Sequence, residues 1–104
     1  MQIQVNAADK ETRNIDPEMV EAEVRSALER FEERITRVEV HVRDVNGPKE
    51  GDDDKHCTME ARIGGLDPMA VTADGPDAMA AVAAAAAKLQ RKIQSDLERR
   101  SERR

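Results

Sequence analysis

Apolar residues recur along the chain with two periods, two and about 3.6, and the switches between them divide it into strands and helices. From Met1 to Asn6, Ile3 and Val5 alternate with Gln2 and Gln4, which predicts a short half-buried strand. Val20, Val24, Leu28, Phe31 and Ile35 then follow at helical spacing behind Asp16-Pro17-Glu18. That triplet is a helix start, since it offers a side-chain cap, a proline at the first helical position and an acid at the positive end of the dipole. The pattern predicts a helix to about Arg34, with Glu18, Glu21, Glu29, Glu32 and Glu33 on its outer face. Strict alternation returns from Thr36 to Val45, where Val38, Val40 and Val42 oppose Arg37, Glu39, His41 and Arg43. It returns again from His56 to Ile63, and a short fourth strand is expected over Met69 to Ala73.

The last quarter, Gly75 to Arg100, reads as one long helix. Met79, Val82, Ala86, Leu89, Ile93 and Leu97 mark its buried side, and the alanines between Ala78 and Ala87 let its first half lie close against what it covers. Its second half differs, because Lys88, Lys92 and Arg99 fall within roughly 40° of one another on a helical wheel, with Arg91 and Ser95 beside them. A basic ridge therefore borders the apolar stripe.

The resulting order, β-α-β-β-β-α, predicts an α+β fold: a four-stranded sheet with its last three strands in a meander and both helices packed on one face. The other face is left polar and solvated. Asn46-Gly47-Pro48 with the polar run to Lys55 predicts a mobile hairpin end, and Gly64-Gly65 with Asp67-Pro68 predicts the next turn.

Length confines this pattern to a single domain over residues 1–104, with a basic tail from about residue 98. One aromatic, Phe31, makes the core aliphatic and removes any stacking platform for unpaired bases. No long apolar run or leader is present, so no membrane partner and a cytoplasmic location are expected. Charge changes the picture most. The total is -5, yet residues 88–104 hold seven bases against three acids, a net of +4, so the remainder holds -9. A local basic patch of this kind can attract phosphate despite an acidic body.

Candidate chemistry is sparse. His56 and Cys57 are strand neighbours and point to opposite faces, so they cannot share a metal, and Cys57 reads as a small core residue. Asp52, Asp53 and Asp54 lack the alternating ligands and closing glutamate of a calcium loop and read as solvated loop. His41 reads as an exposed histidine. No nucleophile-base pair or carboxylate pair can be placed in a cleft, which predicts a non-enzyme with no cofactor, metal or small-molecule substrate.

Leu28-Glu29-Arg30-Phe31-Glu32-Glu33-Arg34-Ile35 leading into Arg37-Val38-Glu39-Val40, the helix entry Asp77-x-Met79-Ala80-Ala81-Val82, and Lys88-Leu89-Gln90-Arg91-Lys92-Ile93 resemble the ribosome hibernation promoting factor family. It is also called the ribosome-associated inhibitor or sigma-factor modulation family. Asp44-x-Asn46-Gly47-Pro48-Lys49 and Asp54-Lys55-x-Cys57 resemble a proteobacterial-style branch of it. The resemblance spans nearly the whole chain and is to the short form, without a further dimerising domain. It implies a stationary-phase stress protein that silences translation from the mRNA-tRNA channel of the small ribosomal subunit, with helix bases on rRNA phosphates. Carried over by position, Lys88 and Arg91 match the family's basic helix, and Lys92 and Arg99 extend it. The first helix departs from the family pattern, offering Arg25, Arg30 and Arg34 among seven acids where the family completes a basic groove.

Two functions are therefore expected in order. The first is a ribosome-associated translation inhibitor that contacts small-subunit rRNA through Lys88, Arg91, Lys92, Arg99, Arg25 and Arg30. The second is a protein-interaction module of the same fold that has lost ribosome binding and turns its acidic first helix or open sheet to a protein partner or to a second copy of itself.

Overall fold

A computed structural model describes residues 1–7, 15–45 and 55–102, with the backbone alone at Glu102. Its elements are β1 (Gln2–Ala7), α1 (Pro17–Leu28), a 3-10 turn (Glu29–Phe31), β2 (Ile35–Asp44), β3 (Lys55–Ile63), β4 (Met69–Gly75) and α2 (Ala78–Glu102). The sheet runs β1-β2-β3-β4. β1 is parallel to β2, from Gln2 against Arg37 to Ala7 against Val42, a pairing that needs a long crossover such as the one α1 supplies. β2, β3 and β4 form the expected antiparallel meander, so the sheet is mixed.

Alternation along the strands decides which face is covered. Val38, Val40 and Val42 of β2 and Cys57, Met59, Ala61 and Ile63 of β3 point into a single core. Val20, Val24 and Leu28 of α1 and Ala81, Val82, Ala85, Ala86, Leu89 and Ile93 of α2 close it from above. Helix α2 lies over β3 and β4, and α1 packs against α2 and β1. Side chains from Gln4 to Asp74 on the opposite positions stay at least partly in solvent. This division fixes where any charged surface can lie: on the outer sides of the helices or on the bare sheet.

Three boundaries differ from the sequence expectation. Helix α1 stops at Leu28, whose φ of -107° and ψ of 12° leave the α region, and the chain tightens through Glu29–Phe31. Arg34 then donates its amide to the Phe31 carbonyl and accepts from Gly64, so the segment is already turning into β2. Ile35 belongs to the apolar stripe by spacing, yet it is buried as a strand residue opposite Ile63. An extra residue between the Ile35 and Arg37 pairings forms a bulge there. At the other end β4 continues to Gly75, and α2 begins only at Ala78. Asp77 caps it: its Oδ1 accepts from the Ala80 amide at 2.8 Å and its carbonyl from Ala81 at 3.1 Å. The Asn46 to Asp54 hairpin end, with its three aspartates, lies outside the described residues.

Candidate nucleic-acid interface

Helix α2 carries most of the candidate residues, and its register against the sheet orients them. Leu89 and Ile93 are fully buried, so residues one position before each of them, Lys88 and Lys92, emerge on the flank facing β4. Lys88 Nζ confirms this direction by donating to the Thr72 carbonyl of β4 at 2.8 Å. It serves the sheet, since β4 is an edge strand and a lysine on an outward carbonyl blunts it against pairing. A carbonyl does not neutralise the ammonium. Lys92 and Arg91 are exposed and have no hydrogen bond or ion pair with any described residue.

Further along, Lys92, Ser95, Asp96, Arg99 and Arg100 face Asp67 and Pro68 of the β3–β4 turn and Met69 at the start of β4 across an open groove of about 330 Å³. Gly65, at φ 79°, permits the turn that places Asp67 and Pro68 there. Both arginines are held by one acid of their own helix: Arg99 Nη2 lies 3.3 Å from Asp96 Oδ1 and Arg100 Nε lies 3.0 Å from Asp96 Oδ2. The Arg100 hydrogen bond, aided by the charges of both arginines, holds the Asp96 carboxyl below its usual range.

The candidates on α1 and on the 3-10 turn after it are placed apart from this ridge. Arg25 Nη1 is paired with Glu32 Oε1 at 3.2 Å. Arg30 Nη1 donates to Gln94 Oε1 at 3.3 Å while its guanidinium sits 5.9 Å from the Phe31 ring centre. Gln94 lies roughly 160° from Lys92 around α2, so Arg30 reaches the helix on the side away from the groove. Outward-facing Arg91 lies between the two flanks. Glu18, Glu29 and Glu33 are exposed and have no ion pair with a described residue.

The bare sheet is charged but largely self-compensated. Arg37 bonds Gln4 and pairs with Glu39, and Arg62 lies 4.0 Å from Glu39 and 3.7 Å from Glu60. His56 Nδ1 meets Asp74 Oδ1 at 2.6 Å on this face, while its neighbour Cys57 is fully buried on the other. Burial pushes the Cys57 thiol up to about 12, so it is neither a ligand nor a nucleophile at neutral pH. Among the described residues no three metal-ligating side chains converge.

Asp96, Arg100 and Asp67 are part of this site and were not singled out by the sequence reading. The spacing of Asp96 three and four residues before Arg99 and Arg100 was a legible signal for the pairing. Nothing local places Asp67 across a groove from them.

Comparisons with known proteins agree on the fold. No curated protein matches the sequence. Among solved structures, the N-terminal domain of Thermus thermophilus Protein Y superposes with a TM-score of 0.62 at 16% identity, covering 91% of this chain and 98% of that one. A ribosomal subunit interface protein from Coxiella burnetii gives 0.66 at 16% identity, covering 94% and 99%. Identity this low establishes the shared fold alone. The sequence profile described as sigma 54 modulation protein / S30EA ribosomal protein matches residues 11–101, nearly the whole chain, and the protein belongs to that family.

Proposed function

We propose that the protein is a ribosome-associated translation inhibitor, a hibernation factor that lays the second half of α2 against small-subunit rRNA in the mRNA-tRNA channel. Family membership supports association with the ribosome, and one structural relative is itself described as a ribosomal subunit interface protein. The observation that carries the finer reading is the exposed charge of Arg91 and Lys92, beside Lys88 and without an ion pair to any described residue. Without aromatic side chains on this surface, contact is to phosphates and to the shape of folded RNA rather than to stacked bases. Arg25 and Arg30, each already engaged within the protein, contribute less than the α2 residues.

Co-sedimentation of the purified protein with ribosomes over a rising salt series tests the proposal. Binding should fall linearly in log-log form, with a slope of roughly 0.7 to 0.9 per neutralised phosphate. Replacing Lys88, Arg91 and Lys92 together by Ala should weaken binding and flatten that slope by about two to three units. Absence of binding at the lowest salt rejects the reading.

A second reading rests on α1 and the turn that follows it, where Glu18, Glu29 and Glu33 are exposed without an ion pair to any described residue. On that reading the module docks a basic protein, and its binding survives both nuclease and the triple alanine replacement on α2.

A further inference from the structure

The ridge on α2 contains its own counter-ion, and that is an odd component for a phosphate-binding surface. We infer that the groove between α2 and the β3–β4 turn is a seat for one RNA backbone phosphate, and that in the free protein the Asp96 carboxylate stands in as a competing internal anion for Arg99 and Arg100. The inference rests on the ribosome-binding reading and adds to it a residue that tempers the affinity.

The groove has the chemistry for such an occupant. Lys92, Ser95 and Arg99 follow at steps of three and four along α2, so an ammonium, a hydroxyl and a guanidinium line the same wall, with Arg100 at its end. Pro68 and Met69 form the facing wall without offering a competing donor side chain. A volume of about 330 Å³ admits a phosphate group together with several waters, each of which takes about 30 Å³ in the liquid. Lys92 has no partner among the described residues, so one cation is available before anything is displaced.

Asp96 occupies the position of the anion. One carboxylate bonds two guanidinium groups, at 3.3 and 3.0 Å, and both arginines are more than half exposed, at 66% and 54%, so the clamp is in contact with water and yields to a competitor. A backbone phosphodiester, which like a carboxylate spreads one negative charge over two oxygens, makes the same charge-assisted bonds, and the neighbouring phosphates of the strand add to the field that lets it take the pair over. The cost is a carboxylate left beside the phosphate, and that repulsion is what tempers binding. Asp67 lines the opposite side of the groove with an equal charge but bonds neither arginine, which makes it the natural comparison.

The experiment measures the affinity of the full chain for purified small ribosomal subunits over a salt series, for wild type, Asp96→Asn and Asp67→Asn. Asp96→Asn is expected to bind roughly fivefold more tightly at low salt, the worth of two exposed pairs released, and to steepen the salt slope by about one. Asp67→Asn, which changes charge without releasing a guanidinium, should gain less. Adding Arg99→Ala and Arg100→Ala to Asp96→Asn should remove the gain. If Asp96→Asn gains no more than Asp67→Asn, or keeps its gain without the arginines, the inference is overturned while wild-type binding and the triple alanine result leave the ribosome reading standing. If neither wild type nor Asp96→Asn binds, both fall; binding by Asp96→Asn alone supports the internal competitor.

Discussion

Gly75 shows how one residue can decide the approach of two elements. A Cβ built there would stand 2.6 Å from the Ala81 amide nitrogen and 3.0 Å from the Ala80 carbonyl carbon, both backbone atoms of α2 that cannot swing aside. Gly75→Ala should therefore cost about 2 kcal/mol, as overpacking does, and a urea melt with an unchanged m-value would show it. Cys57 offers a second test, through pH. Burial pushes its pKa up to about 12 from an ordinary value of 9.0, so the folded state keeps its proton where the unfolded chain has lost it. Stability from this source is complete below about pH 9 and is lost as pH rises toward 12, by roughly 1.4 kcal/mol per unit. The chain has no tyrosine to titrate in the same window. Denaturation midpoints of wild type should thus fall more steeply between pH 9 and 11 than those of Cys57→Ala; parallel curves would contradict a buried neutral thiol. The burial of Cys57 was readable from alternation, whereas the clearance at Gly75 was not, because it depends on where α2 crosses β4.

At the scale of elements, sequence spoke most clearly where a period and a cap coincided. Asp16 caps α1 through a 2.9 Å bond from the Glu18 amide, as Asp16-Pro17-Glu18 implied. The buried stripe of α2 also came out at the positions its spacing gave, with Val82, Ala86, Leu89 and Ile93 fully covered. The end of α1 was illegible, because Phe31 and Ile35 continue its 3.6-residue rhythm while the sheet claims Ile35 for β2. Tertiary pairing overrode local period there. The start of α2 differs from its local signal for a related reason: Gly75 and Pro76 look like a helix entry, yet Gly75 still pairs with Lys55 and the cap falls to Asp77. Asp77→Ala should then lower stability by about 1 kcal/mol, the usual worth of such a cap. Thermal unfolding of this variant beside Asp77→Asn, which retains an acceptor and should lose little, separates the cap from the charge.

Across the whole molecule charge is polarised by the packing of the two helices. The turn after α1 sets Glu29 and Glu33 in solvent, and α2 sets Arg91 and Lys92 there, with the Arg30–Gln94 contact between that turn and α2. The asymmetry between a +4 tail and a -9 remainder was legible in the sequence. Its arrangement in space was not, because the pairing of Arg25 with Glu32 and of Arg30 with Gln94 depends on the turn after α1 and on how α2 packs beside it. The two readings of function assign opposite signs to the acidic helix, and this makes it the most informative place to alter. Glu29→Lys with Glu33→Lys changes the charge by two units at each site, taking the total from -5 to -1. If α2 meets rRNA, the acids of α1 and of the turn after it repel the same polyanion within about a Debye length, and reversing Glu29 and Glu33 should raise ribosome affinity, on the order of fivefold at low salt and fading toward 1 M. If α1 itself docks a basic protein, the same pair of substitutions puts like charges face to face and should abolish the association. Both side chains are exposed and lie outside the core, so the fold is expected to survive the change. A drop in ribosome binding on this reversal would place the acidic helix, rather than α2, at the point of contact.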